Sequence, residues 1–235
     1  LTLNNLSFTL HAGKRYALIG ASGSGKSTLL RLLAGLYVAD SATLATNTMS
    51  TNSSEQAARF LRSSATLIPQ DAEVFEGSLA DNLSLCESLL GPPSPADYAP
   101  ALQAQVDFVD ATPAGLNSRI AERGINWSGG QRSRIALARG MLAAQGSPLI
   151  LLDEPTASLD AHTEARVYDN LFACFPQACM VSSVHRINLL GRFDEVLLMQ
   201  NGKLVAQGAV QTLLVSSPEF QRLMAAYQQS ATESD

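Results

Sequence analysis

The apolar run Tyr16-Ala17-Leu18-Ile19 passes without a break into Gly20-Ala21-Ser22-Gly23-Ser24-Gly25-Lys26-Ser27-Thr28, and this junction restricts the fold more than any other stretch. Arg15 to Gly20 reads as a short buried strand, and Ser27 to Leu36 carries leucines at helical spacing up to Gly35. Three glycines within six positions weaken either regular structure, so the residues between form a loop. Gly20, Gly25, Lys26 and Ser27 fit the order G-x-x-x-x-G-K-[ST] between a strand and a helix. Glycine removes the Cβ that would keep an anion away from the main chain, and the freed N–H groups point inward at a helix N-terminus, where the dipole favours negative charge. Lys26 then reaches the β- and γ-phosphates of a nucleotide, and the Ser27 hydroxyl binds Mg²⁺. The plainer alternative is a glycine turn that caps a helix, with Lys26 in solvent; the strand–loop–helix setting argues against it.

The rest of the chain alternates strand and helix patterns, which implies an α/β core with a parallel sheet. Leu149 to Leu152 is four apolar residues with no alternation, as a strand buried on both faces requires. Leu1 to Leu10, Ala65 to Pro69, Cys179 to Val184 and Glu195 to Met199 read as further strands, and Lys203 to Gln207 pairs with the last across Asn201-Gly202. Gly130 to Ala144 and Thr163 to Phe175 read as helices, and Ala39 to Ser54 as short strands and turns. Residues 72 to 127 look helical and irregular, broken by Gly91-Pro92-Pro93-Ser94-Pro95, and the C-terminal thirty residues read as short helices and a polar tail.

At 235 residues the chain can hold one large α/β domain, or a main domain with a subdomain. A formal net charge of −5 argues against nucleic acid as a partner. Cys86, Cys174 and Cys179 are too few and scattered for a disulfide framework and suit a reducing compartment. No stretch approaches eighteen uninterrupted apolar residues. The chain opens at Leu1 in a strand-like pattern, without an initiator methionine, and is expected to be a piece of something longer.

Two further motifs extend the chemistry. The strand Leu149 to Leu152 ends in Asp153-Glu154, and adjacent carboxylates after a buried strand are costly unless a cation or proton uses them. Asp153 can hold Mg²⁺ through water and Glu154 can polarise an attacking water; an ordinary acidic loop is the alternative. Trp127-Ser128-Gly129-Gly130-Gln131 is a second glycine turn that opens a helix, hence a second anion site. One nucleotide needs one phosphate cradle, so a second cradle suggests two chains sharing nucleotides. The alternative is a plain helix cap by Ser128.

The set Gly20–Thr28, Gln70, Ser128–Gln131, Leu149–Glu154, Ser158-Leu159-Asp160 and His185, in this order over nearly the whole chain, resembles the nucleotide-binding domain of ATP-binding-cassette (ABC) transporters. The resemblance implies a P-loop NTPase core, a mixed sheet flanked by helices, with an antiparallel β layer and an inserted α-helical subdomain carrying the signature turn. Residues 1–71 and 146–235 would form the ATP-binding core and 72–145 the helical subdomain. The family sandwiches two ATP molecules between two such domains, head to tail. Gly20, Ala21, Ser22, Gly23, Ser24, Gly25, Lys26, Ser27 and Thr28 would grip the phosphates, with Mg²⁺ held by Ser27, Gln70 and Asp153. Glu154 would be the general base, His185 would contact the γ-phosphate, and Gln70 would sense metal and attacking water. Ser128, Gly129, Gly130 and Gln131 would contact the partner chain's ATP, and Asp160 would line the dimer interface.

The segment Gln70 to Asn82 and the run Ala121-Glu122-Arg123-Gly124 look like exporters, in which the loop at Glu122 touches the transmembrane part. The resemblance thus implies a Mg-dependent ATPase that drives transport, on the cytoplasmic face of a membrane, the bacterial inner membrane first. Its partners would be a second nucleotide-binding domain, identical or not, and a transmembrane domain fused upstream. The alternative is a soluble ABC ATPase of the translation-factor or DNA-repair type. The repair type would split the phosphate loop from the signature turn by a long coiled coil, whereas roughly a hundred residues without heptads intervene here.

The chain departs from the family pattern in three places. Trp127 stands where leucine is usual and is expected to pack. Asn47, in Ala45-Thr46-Asn47-Thr48-Met49-Ser50, stands in for a glycine turn and is expected to adopt the left-handed conformation. No aromatic residue before the phosphate loop matches the one that stacks on adenine, and Tyr16 is expected to point into the domain. Arg132, Arg134 and Arg139, on one helix, read as a solvated or interface face rather than a nucleic-acid patch, His11 and His162 as structural, and Cys174 and Cys179 as core.

Overall fold

The apolar runs of the sequence become the strands of one six-stranded sheet in the computed structural model, which describes residues 3–70, 73–84 and 114–232, with side chains described up to residue 227. Cys86, the proline-rich stretch and the last three residues lie outside the described residues. The chain divides into two units. The first comprises Leu1–Leu67, Pro148–Glu154 and Gln177–Asp235, and the second Ile68–Ser147 and Pro155–Pro176.

The sheet contains β1 (Arg15–Ile19), β4 (Ala65–Ile68), β7 (Leu149–Leu152), β8 (Cys179–Ser183), β9 (Glu195–Gln200) and β10 (Lys203–Gly208), in the spatial order β10-β9-β1-β8-β7-β4. Strand β1 pairs in parallel with β8 and β9, and β7 pairs in parallel with β8, with Tyr16 opposite Val181 and Leu151 opposite Val181. The near-continuous burial of these strands is what a sheet covered on both faces demands. The antiparallel partner of β9 is β10, reached through Asn201 and Gly202 at φ 49° and 75°, as the Asn-Gly turn predicts. Because β1, β8 and β7 are adjacent and parallel, their C-terminal ends share one edge, and each continues into a predicted site residue: Ile19 into Gly20, Ser183 towards His185, and Leu152 into Asp153.

Helix α1 (Lys26–Leu33) lays Leu29, Leu30 and Leu33 against Tyr16, Leu18, Leu151, Val181 and Leu197. Each such side chain, taken out of water, contributes roughly 1.5–3 kcal/mol, so the loop ahead of α1 is anchored to the sheet at both ends. Tyr16 is fully buried and its hydroxyl accepts the His11 N–H at 2.9 Å, so it points into the domain as expected. Helix α2 (Ser54–Ser64), capped by Ser53, precedes β4, and helices α6 (Val210–Ser216) and α7 (Pro218–Thr232) close the chain.

In the second unit, helix α4 (Gly129–Ala143) buries Ile135, Leu137, Ala138, Met141 and Leu142 and packs against α3 (Leu79–Ser84). Strand β5 (Gly77–Ser78) pairs with β6 (Arg119–Ile120). Buried Asn82 accepts the Phe75 N–H at 2.7 Å and donates to the Phe75 and Ser78 carbonyls, which staples the segment before α3. Helix α5 (Ala161–Cys174) completes this unit.

Two expectations from sequence are corrected. Residues 3–10 are not a strand; the alternation of Leu3, Leu6, Phe8 and Leu10 arises because these side chains pack on the sheet's core from an irregular segment. Ala39 to Ser54 does form short strands and turns, the hairpin of β2 (Leu44–Ala45) and β3 (Ser50–Thr51), before α2 begins. Asn47 does not take positive φ, because the Thr46 hydroxyl, which accepts the N–H groups of Thr48 and Met49, holds the turn instead.

Candidate active site

The first unit gathers Lys26, Ser27, Asp153, Glu154 and His185 at the shared strand edge. Gly20, Gly23 and Gly25 sit at φ 149°, 75° and 107°, where a Cβ is strained. A Cβ on Gly20 would lie 2.2 Å from the Met199 carbonyl oxygen, so this loop must begin with glycine. Gly25 occupies the N-cap of α1 and offers no side-chain cap, leaving the first-turn N–H groups to another acceptor. Buried Lys26 curls back, its Nζ donating to the Gly20 and Ala21 carbonyls at 2.8 and 3.3 Å. Its pKa is lowered by burial, which the Glu154 and Asp153 carboxylates counter. The Ser24 hydroxyl is buried with no hydrogen-bond partner among the described residues. An anion lying in the loop would answer each of these features: the open helix start, the lysine folded onto main-chain carbonyls and the unsatisfied hydroxyl.

The Ser27 hydroxyl donates to Asp153 Oδ1 at 3.1 Å. Hydroxyl and carboxylate oxygens are the donors that Mg²⁺ takes in preference to nitrogen or sulfur. Glu154 stands at φ 51°, a conformation seldom adopted by a residue with a side chain. Its Oε1 lies 2.5 Å from His185 Nε2, and its N–H donates to the Ser183 hydroxyl at 2.7 Å. The His185 side chain is about half exposed, so one face of the carboxylate–imidazole pair is open to an incoming group.

Gln70, Ser128, Gly129, Gly130, Gln131 and Asp160 belong to the second unit. Gln70 follows β4 by two residues. Ser128 caps α4 through a full capping box, its Oγ accepting the Gln131 N–H at 3.2 Å while Gln131 Oε1 accepts the Ser128 N–H at 2.9 Å. The Trp127 indole is 8% exposed and donates to the Arg119 carbonyl at 3.2 Å, so it packs as expected. Arg132 reaches back from α4 to the Trp127 and Gly124 carbonyls, and Asn126 bridges Ala121 N–H and the Arg119 carbonyl. Asp160 caps α5 by accepting the N–H groups of His162 and Thr163 at 3.0 Å each, and the Thr163 N–H above all holds its carboxyl down at about 2. Sequence reasoning missed Ser183, Asn126 and the 2.5 Å hydroxyl contact of Ser133 with Ser158, and it read Arg132 as part of a solvated or interface face, whereas its guanidinium ties the start of α4 to the turn before it. The signal for Ser183 was present: two serines at the end of an otherwise apolar strand just before His185.

The first unit has the core of a phosphate-loop nucleoside triphosphatase, and the second unit carries a further glycine turn. The family model described as ABC transporter matches residues 3–157, and the chain belongs to that family. It is 34% identical over 224 residues to the glutathione/L-cysteine transport system ATP-binding/permease protein CydD of Bacillus subtilis (strain 168), covering 94% of this chain and 37% of that protein. It is 34% identical to the mesentericin-Y105 transport/processing ATP-binding protein MesD of Leuconostoc mesenteroides over 90% of this chain and 28% of that protein. With the ATP-dependent lipid A-core flippase of Haemophilus ducreyi (strain 35000HP / ATCC 700724) it shares 32% identity over 94% of this chain and 37% of that protein. The solved structure of a bacterial Atm1-family ABC exporter with ATP bound superposes with a TM-score of 0.82 at 28% identity, covering 96% of this chain and 38% of that one. The chain therefore spans 28–38% of the length of these proteins. It is an ATP-binding domain of the ABC family, and the proteins it matches include ATP-binding/permease proteins and an ABC exporter. These relatives are transporters, which favours the exporter reading over a soluble translation or repair ATPase. Among the described residues no helix is long and apolar enough to cross a membrane.

Proposed function

We propose that this chain hydrolyses Mg-ATP to drive an exporter, from the cytoplasmic face of a membrane. It would pair head to tail with a second such domain, identical or not, and act on a transmembrane domain carried by the same protein. In this reading 1–71 and 146–235 serve as the ATP-binding core and 72–145 as the helical subdomain. The observation that carries the reading is the convergence of Lys26, Ser27, Asp153, Glu154 and His185 on one sheet edge, with the Glu154 carboxylate hydrogen-bonded to His185.

The loop from Gly20 to Thr28 binds the phosphates through its N–H groups, and Lys26 leaves its carbonyl partners for the β- and γ-oxygens. Ser27 and Asp153, with Gln70, would hold Mg²⁺, which neutralises charge on the phosphoryl oxygens when bound. Glu154 takes the proton of the attacking water, and His185 orients Glu154 and contacts the γ-phosphate. Ser128, Gly129, Gly130 and Gln131 meet the nucleotide bound to the partner chain, with Asp160 at the interface. Phosphoryl transfer needs little covalent help, so positioning and electrostatics account for most of the catalysis.

The test is Glu154→Gln in the full-length protein that carries this chain. The amide keeps the shape but cannot accept a proton, so turnover falls by at least about a hundredfold while ATP still binds. A variant that hydrolyses ATP at the wild-type rate would remove Glu154 from the role of base.

A further inference from the structure

Ser183 ends β8 with 1% of its surface exposed, in a strand whose other residues include Met180 and Val181. Its hydroxyl accepts the Glu154 N–H at 2.7 Å and donates to Asp153 Oδ1 at 3.1 Å. The same Oδ1 accepts the Ser27 hydroxyl at 3.1 Å. One unbroken line of hydrogen bonds thus runs from the Glu154 main chain through Ser183 and Asp153 to the phosphate loop.

Glu154 needs such support. At φ 51° its backbone lies in the left-handed region, which a residue with a Cβ keeps only where its surroundings over-determine it. The Ser183 bond falls on the N–H of that strained residue, while His185, two positions further along the same strand exit, holds its carboxylate. The last residue of β8 and the segment just after it therefore hold Glu154 at both ends. An apolar side chain at 183 would fill the same space and offer neither bond.

We propose that Ser183 is a positioning residue for hydrolysis: its hydroxyl sets the Glu154 backbone, and so the aim of the Glu154 carboxylate, against the Asp153 carboxylate. This rests on Glu154 acting as the general base.

The test compares S183A, S183C and S183T in the full-length protein, by steady-state ATPase kinetics and thermal unfolding. S183A is expected to lower kcat about tenfold, with KM for ATP within about twofold, because misaiming a base costs rate rather than binding. S183C, similar in size but a weak donor and acceptor, should be as slow as S183A, and S183T should recover most of the rate. A thiol that restores kcat would make the effect one of packing and overturn the proposal. So would an S183A rate within twofold of wild type, a rise in KM with kcat intact, or a folded S183T no faster than S183A. Combining S183A with E154Q adds less than about twofold to the loss if Ser183 acts through Glu154; an undiminished tenfold loss overturns that route. If E154Q itself leaves turnover intact, the base assignment fails; if E154Q stops turnover and S183A does not slow it, the Ser183 proposal alone fails.

Discussion

Helix α1 begins at Gly25, a left-handed residue with no side chain to cap it, whereas α4 begins at Ser128, whose hydroxyl and the Gln131 amide close a reciprocal capping box. Both are glycine-rich turns at helix N-termini, and both present the positive end of a dipole. The difference lies in what already satisfies the donors. At α1 the first-turn N–H groups wait for an outside acceptor, and Lys26 is parked on the loop's own carbonyls. At α4 the Ser128 and Gln131 N–H groups are each accepted by the other's side chain, which leaves the Ser128 O–H and the Gln131 NH2 to donate elsewhere. The phosphate loop is therefore preorganised for an anion. The signature turn closes its own cap, worth about 1 kcal/mol, and in the proposed sandwich Ser128 and Gln131 would donate to a partner's nucleotide with that cap in place.

The largest effect that would break this comparison comes from mixing two inactive variants. Ser128→Arg spares the chain's own phosphate loop but fills the space in front of α4, and Lys26→Ala does the reverse. Neither alone should form an ATP-stabilised dimer. In a head-to-tail pair of the two, one composite site joins an intact Lys26 to an intact Ser128. Part of the ATP-dependent dimer should return in the mixture, read by sedimentation of the full-length variants. If Ser128 only caps its own helix, mixing restores nothing.

A smaller change separates the two uses of Gln131. Glu at this position accepts the Ser128 N–H as glutamine does and suits the helix dipole, so Gln131→Glu should leave the unfolding free energy within about 0.5 kcal/mol. Its negative charge would face phosphate, and the ATP-dependent dimer should weaken at least about tenfold. A dimer of unchanged affinity would confine Gln131 to the cap.

The slightest effect concerns the third helix start, α5, capped by an ionised side chain. The Asp160 carboxyl is lowered from its ordinary 3.8 to about 2, chiefly by the Thr163 N–H. A lowered value in the folded state means that the cap contributes above the ordinary carboxylate range and is lost as pH falls through about 2. Since Asp160 is exposed, the change in overall stability is slight, and the check is its carboxyl NMR titration. A midpoint at the ordinary value would show that this cap is not held.

The parts of the fold written in local pattern were legible from sequence. Leu149–Leu152 was bounded by its unbroken apolar run, and the β9–β10 hairpin by its Asn-Gly turn. The phosphate loop was legible because it needs glycine at fixed spacing, and Asp153 and Glu154 because two carboxylates at the end of a buried strand stand out. What was not legible depends on partners distant in sequence. Leu3 to Leu10 alternates as a strand would, yet its side chains simply rest on a sheet formed by residues elsewhere in the chain. Ser183 reads as a small residue in a core strand until the parallel pairing of β7 with β8 sets it beside Asp153 and Glu154. Helix α2 was overlooked although Ser53 with Gln56 three residues on is a helix-start signal, because the surrounding Ser, Thr and Asn residues read as turns.

The Trp127 indole lies in the turn immediately before Ser128, tied to the Arg119 carbonyl, and it is the chain's single tryptophan. Light emitted by the indole of this chain therefore comes from one place, the entrance to α4. In the head-to-tail pair proposed above, the nucleotide held by the second chain would arrive beside that chromophore. The residue that departs from the family pattern would thus give this domain a built-in optical reporter of the proposed closure of two chains.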